Sequence, residues 1–286
     1  MSQNKDIDLE ISKIKNLPPL PEASIRIITA VNDPDITVEE VVDVLALSPV
    51  LVARLLGLAN SAYFGRAGQI NDLRIAIIQV LGLNLVKSLS LSIVLNVELQ
   101  ATKCKTFEAG FFWSHALVTA LISQKIALKL NDEEISPNIA YTSGLLLNIG
   151  LLAAIQIFPE PLENILAKVD RIEGAVSAEM QLVLGVNQYE IGHALLERWK
   201  LPVIYQTALE QFRQNDYQGE ERKLAILLEL SHWAAIYIVD NKMDEMPSFS
   251  EQLKSLSFSQ KEFSDIIDAI FHNKEDINEL AAVIGG

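Results

Sequence analysis

The sequence predicts an all-α protein of two packed helical units, residues 1–105 and 106–286. Three observations carry this reading. Almost every apolar stretch repeats with the helical period and none alternates as a strand does. Helix starts and stops are spelled out by capping residues and prolines. A polar stretch, Glu98 to Lys105, separates two sets of such helices. With 286 residues, of which 50% are hydrophobic and 21% charged, the chain can bury a sizeable core. No repeat of fixed period stands out, and no long Gly/Ser/Pro linker parts the halves, so they are expected to pack as one body.

In chain order, Thr37-Val-Glu-Glu40 is a capping box opening a helix to about Leu47. Ser48-Pro49 supplies the next N-cap and a proline at the first helical position, with Leu51, Val52, Leu55, Leu56 and Ala59 on one face. Asn71 is the expected cap of a helix ending at Gly82, and Asn84 of the one carrying Leu85, Leu89 and Ile93. In the second unit, Phe111 to Leu130 reads as helix. Ser136-Pro137 opens an apolar helix containing Gly144 to Phe158, which Pro159 stops. Asn187-Gln-Tyr-Glu190 resembles a capping box ahead of Ile191, Ala194, Leu195 and Trp199, and Leu201-Pro202 restarts the chain. Lys223 to Val239 is a long apolar helix, Asp240 to Ser248 is turn-rich, and Ser259-Gln-Lys-Glu262 caps a helix near the C-terminus.

Composition narrows the function classes. A formal net charge of −14 repels phosphate backbones and anionic lipid, which argues against nucleic acid and membranes as primary partners. The single cysteine, Cys104, excludes an intrachain disulfide and a cysteine-based zinc site. The run from Gly144 to Phe158 is shorter than the ~20 residues of a spanning helix, so it reads as a core helix. The opening MSQNKDIDLE shows no signal peptide, and the expected compartment is the cytoplasm.

Two stretches carry a family resemblance. The first is Leu17 to Gly65, with its proline-rich entry, "NDP" and "SPVLVARLLGLANSAYFG", followed by INDLRIAIIQVLGL from Ile70 to Leu83. The second runs from FFWSHALVTA through GLLLNIGLL to GVNQYEIGHALLERWKLP, ending at Pro202. In this order they resemble the HDOD domain family, and the likeness extends to about Val239. The resemblance implies a helical fold related to the HD phosphohydrolases, in whose active members histidines and aspartates hold one or two divalent metals. The metal lowers the pKa of a bound water and stabilises phosphoryl charge.

Traced onto this sequence, the resemblance puts His115 at the first histidine ligand. The His-Asp pair that names the superfamily falls at Leu147 and Asn148, neither a replacement for the original ligands. A further histidine falls near Gln188, paired histidines near Glu210-Gln-Phe-Arg213, and the closing aspartate at Ala235, three residues after His232. One ligand of the set survives. No cofactor is expected.

His115 has two readings, a metal ligand or a structural histidine beside Trp113, and the missing partners favour the second. His193 and Glu197 share a helix face but lack a third ligand, and His272 is expected in solvent. His232, beside Trp233, reads as a semi-buried core residue. Arg54 is expected to pair with Asp43 or Glu40, or else to line the junction of the halves with Asn60 and Tyr63 and recognise a ligand or partner. Arg213 is either a surface residue near Glu210 and Asp216 or the cation that replaces the metal and holds a phosphate, with Phe212 stacking on a base.

The expected function is a non-catalytic bacterial signalling or regulatory module. It would act through signalling proteins or through a nucleotide-type ligand in the degenerate cleft. The expected site is His115, Asn148, Gln188, Arg213, Arg54, Asn60 and Tyr63, with neither catalytic nor metal residues. The competing reading is a metal-dependent phosphohydrolase with a reduced ligand set, in which Glu190 or Glu229 would converge with His115 and Asn148.

Overall fold

A computed structural model of the chain describes residues 20–33, 35–64, 69–99, 104–130, 135–169, 175–212, 219 and 221–285. Among them every regular element is helical. In the first half, α1 (Glu22–Asn32) buries Ile27, Ile28 and Val31, and it packs on α2 and α5. The capping box forms as read. Thr37 Oγ1 accepts from the Glu40 amide (3.3 Å), and Glu40 Oε2 accepts from the Thr37 amide (2.9 Å), opening α2 (Val38–Leu45). Ser48 caps α3 (Pro49–Ala59).

The next turn differs by a residue from the sequence reading. Asp72, not Asn71, caps α4 (Leu73–Ala76), because its carboxylate reaches the Ile75 amide at 2.8 Å. This helix widens into a π turn, Ile77–Leu81, closed by the Gly82 amide on the Ile77 carbonyl (2.9 Å). Gly82 has φ +78°, a conformation that favours glycine, and the chain there turns 118° into α5 (Leu83–Leu99). Asn84 therefore lies inside the first turn of α5, not at its cap.

In the second half, α6 (Ala109–Leu130) is buried without a break from Phe112 to Ala120. Such burial all round marks the central helix. Packed on it are α7 (Pro137–Leu146), α13 (Arg222–Val239), α15 (Gln260–His272) and α16 (Lys274–Gly285). By length and composition alone, Ala109–Leu130 and Pro137–Ile157 could each cross a bilayer, but 72% and 89% of their apolar windows are buried inside the protein. Packing within this fold thus accounts for their apolar composition.

The apolar run expected to form one helix is two. After α7 the chain turns at Leu147 and Asn148, with Asn148 at φ −101° and ψ 11°, before α8 (Ile149–Ile157) begins. This break aims Asn148 at α6. Pro159 both ends α8 and opens α9 (Pro159–Leu166). α10 (Ala175–Leu184), α11 (Gln188–Arg198) and α12 (Val203–Gln211) follow, and α14 (Ser250–Ser255) precedes α15. The second capping box also forms, Asn187 accepting from the Glu190 amide at 3.1 Å and Glu190 accepting from the Asn187 amide at 2.8 Å.

Helices α8 and α11 cross with their backbones in contact. A Cβ on Gly150 would lie 2.0 Å from the Gln188 carbonyl oxygen and 2.4 Å from the Gly192 nitrogen, so only glycine fits there. At the C-terminus, α16 buries Ile277, Leu280, Ala281 and Ile284 and packs on α3, α5 and α6. It thereby spans the boundary near residue 105, and one continuous apolar core joins both halves.

Candidate functional site

Four buried polar side chains from four places in the sequence meet beside α6. His115 comes from the middle of that helix, Asn148 from the α7–α8 turn, Gln188 from the first turn of α11, and His232 from α13. They are only 5%, 7%, 6% and 5% exposed, so their polar atoms must find partners inside the protein. The glycine crossing of α8 and α11 is what brings Gln188 down onto Asn148, two residues before Gly150.

The partners form a chain with a fixed direction. His115 Nε2 lies 3.2 Å from the His232 carbonyl oxygen, which only accepts, so Nε2 carries the proton. Nδ1 is then the acceptor, and Asn148 Nδ2 donates to it at 3.3 Å. That turns Asn148 Oδ1 toward Gln188, whose Nε2 donates at 2.7 Å. One backbone carbonyl thus sets the tautomer of His115 and the orientation of both amides. Gln188 Oε1 is left at the end of the chain, buried and accepting no hydrogen bond from the described residues. Burial pushes the His115 pKa from its ordinary 6.5 down to about 4, against the raising effect of the His232 carbonyl.

Aromatic rings frame this chain. The His232 ring stands edge-on to His115, with centroids 4.8 Å apart, and it also meets Phe212 at 5.2 Å and Trp233 at 5.5 Å. Tyr189 packs on Phe212 at 4.5 Å. Beside the chain opens a cavity of about 110 Å³, walled by His115, Asn148, Gln188, Tyr189 and His232 and by apolar side chains that include Phe111 and Leu151. Glu108 is its one charged lining residue among those described.

An HD-type fold implies a divalent metal, and this donor set does not fit one. Both nitrogens of His115 are engaged by protein groups. Leu147 is fully buried in the core, Asn148 offers a neutral amide, and Ala235 is likewise fully buried. Among the described residues, no three His, Cys, Asp or Glu side chains converge. Glu190, one of the two acids the reduced-ligand reading offers, is exposed and held by its capping box, so it does not join His115.

The site residues expected from the sequence therefore divide. His115, Asn148 and Gln188 come together. Arg213 lies outside the described residues. Arg54 pairs with neither Asp43 nor Glu40 in the way anticipated: its guanidinium donates to the Ile284 carbonyl at the end of α16, while Glu40 serves the capping box. Asn60 is a structural clasp, accepting from the Ile70 amide and donating to the Ile70 carbonyl, both at 2.7 Å. Tyr63 lines a different cavity, of about 340 Å³, between the two halves, together with Tyr141 and Leu280. Burial, with Asp276 nearby, raises its pKa. His193 points to the Gln206 carbonyl (3.2 Å) and His272 to the Asp268 carbonyl (2.6 Å).

Sequence reasoning treated His232 as core packing and missed its place in the site. Its contribution to the chain is a backbone carbonyl, for which no residue type is a signal. Phe212, read as a stacking residue, and Tyr189, next to Gln188 in the first turn of α11, were the legible hints of an aromatic wall.

The fold and this cleft define a class, the HD-type helical domains. The sequence profile of the HDOD domain family matches residues 17–214, and the chain belongs to that family. It is similar to an uncharacterised protein of Treponema pallidum (strain Nichols), 29% identical over 191 residues that make up 66% of this chain and 36% of that protein. Among solved structures it resembles one from Marinobacter aquaeolei VT8, provisionally described as a signal transduction protein. The TM-score is 0.81 at 22% identity, over 100% of this chain and 67% of the other. It also resembles one from Shewanella amazonensis SB2B, provisionally described as a phosphohydrolase, with TM-score 0.75 and 24% identity over 96% and 97% of the two chains. An HDOD domain protein of unknown function from Geobacter sulfurreducens gives TM-score 0.67 and 23% identity over 97% and 98%. At these identities the structures speak for the fold alone.

Proposed function

We propose that the chain is a non-catalytic bacterial signal-transduction module that works through protein partners or through a small ligand in its degenerate HD cleft. The observation that supports this best is the directed chain from Gln188 to the His232 carbonyl. It engages both nitrogens of the one histidine at a metal-ligand position, where a working metal site needs a free lone pair and several further ligands. A polar relay of this kind holds three helices and the α7–α8 turn in one arrangement, and a ligand in the cavity beside it is placed to bias that arrangement. The bacterial sources of the relatives support the bacterial setting. The buried free Cys104 fits a reducing compartment such as the cytoplasm.

The test is metal analysis of protein purified without chelator, together with a generic phosphodiesterase assay in added Mn²⁺. Sub-stoichiometric metal and no turnover above buffer are expected. Stoichiometric Mn or Fe, lost with turnover on His115→Ala, would overturn the proposal in favour of a hydrolase.

A further inference from the structure

The protein partners of the proposed function have a chemistry that a second groove specifies, and this inference rests on the reading of the chain as a module acting through such partners. We infer that the groove between α1 and the α11–α12 turn holds a short acidic segment of a partner protein. Its carboxylates meet the cations of the groove, and its apolar side chains meet the rim.

The groove runs between the two halves of the chain. A cavity of about 950 Å³ opens between Arg26 on α1 and Arg198, Trp199 and Lys200 at the end of α11. A second, of about 330 Å³, adjoins it, since Asn32 and Pro202 line both, and it adds Lys87 from α5. Together they exceed the roughly 300–1,000 Å³ of a small-molecule pocket and suit a stretch of peptide. Four cations thus line one groove in a chain of net charge −14. Asp33 shares the lining, with its carboxylate taken by the Asp35 amide at 2.9 Å and its carbonyl by Lys87 Nζ. At physiological salt, exposed charges act over about 8 Å. A carboxylate lodged here is therefore governed by these neighbours more than by the acids spread over the rest of the surface. A long polyanion such as nucleic acid stays repelled.

Lys200 occupies a costly place for its residue type. The helix α11 ends with the Lys200 amide on the Glu197 carbonyl and the Leu201 amide on the Leu196 carbonyl, both at 3.0 Å. In this turn Lys200 takes φ +55°, the left-handed region that glycine fills without strain. The lysine accepts that strain, and its side chain lines the groove. On the opposite wall, Ile25 and Arg26 are exposed on α1, and Val203, 71% exposed, opens α12 beside Pro202. Arginine and lysine interleaved with exposed apolar side chains match an acidic segment with apolar residues better than a bare phosphate.

The experiment uses a short labelled peptide of Glu and Leu, with the leucines at i, i+3, i+4 and i+7, and the same peptide with Gln for Glu. Each is titrated with the whole chain and followed by fluorescence anisotropy. The acidic peptide is expected to bind with Kd below about 100 μM. The Gln peptide should bind at least about tenfold more weakly. Arg26→Glu combined with Lys200→Glu should weaken binding of the acidic peptide by at least about tenfold. Lys200→Gly should weaken it about threefold, the worth of one partly exposed ion pair, while the urea midpoint holds or rises because the backbone strain is relieved.

No binding of the acidic peptide, equal affinity for the two peptides, or binding untouched by the double charge reversal overturns the inference. Displacement of the peptide by millimolar inorganic phosphate also overturns it, by making the groove a small-anion site. So does an about tenfold gain in affinity on Asp6→Asn, Asp8→Asn and Glu10→Gln together, which would give the groove to the chain's own first residues. If the double reversal fails to fold, Lys200→Gly and the two peptides still decide it. Failure of the parent reading shows separately, as metal-dependent phosphodiesterase turnover. Absence of turnover with equal affinity for the two peptides condemns the partner assignment alone.

Discussion

Acid should weaken this fold through His115, and the size of the effect follows from its surroundings. The ring is 5% exposed, sits among apolar and aromatic neighbours, and uses Nδ1 as an acceptor for Asn148. Protonating it would place a charge in the core and turn the Asn148 contact into two opposed donors. Burial accordingly holds its pKa at about 4 against an ordinary 6.5. Because the folded value lies below the unfolded one, the unfolded chain takes up the proton first. The neutral ring's contribution is fully present above pH 6.5 and is lost as the pH falls toward 4. At about 1.4 kcal/mol per pH unit, that window amounts to on the order of 3 kcal/mol, a large part of a typical domain's stability.

Urea unfolding of the wild type and of His115→Gln, between about pH 7 and pH 4.5, isolates this contribution. Titration of the carboxylates and of the other histidines largely cancels in the difference. The stability gap between the two proteins should narrow by roughly 2–3 kcal/mol as the pH falls across that range. A gap that stays constant would refute a buried neutral His115 at the centre of the site.

Three further outcomes follow from the packing. Gly150→Ala should cost more than about 3 kcal/mol, since its Cβ meets backbone on α11 and neither helix can retreat cheaply; a thermal midpoint equal to wild type would contradict the close crossing. Arg54→Met should cost about 1 kcal/mol by removing one of the two hydrogen bonds on the Ile284 carbonyl, which keeps its bond from Asn96 Nδ2 at 3.1 Å, with hydrogen exchange speeding up in α16 more than in α6. Thr37→Ala should cost about 1 kcal/mol through loss of the α2 cap, read from the urea midpoint.

How far the sequence reaches is clearest at the helix ends. Thr37 with Glu40, Ser48 with Pro49, Asn187 with Glu190, and Ser259 with Glu262 all announce helices that form where those residues stand. Capping is local physics, decided by side chains within three residues of the backbone they serve. The all-helical class followed from the same local information, together with the 3.6-residue period. Where two adjacent residues compete for one role, as Asn71 and Asp72 do, the pattern erred by one position. Where a run is apolar on every side, as from Gly144 to Phe158, period alone did not reveal the break at Asn148.

The site divides in the same way. The family resemblance carried by the motif order put His115, Asn148, Gln188 and Arg213 in one cleft, with Leu147 and Ala235 where metal ligands would stand. Tertiary structure decided what that constellation does. The backbone crossing at Gly150 and Gly192 brings Gln188 onto Asn148, and α13 delivers the His232 carbonyl to His115. Likewise the partner of Arg54 lies 230 residues away, on a helix that the sequence reading did not place. Hydrogen-bond direction and helix crossings depend on groups remote in the chain. The acceptor at Gln188 Oε1 is therefore a property of the fold that no local stretch of sequence contains.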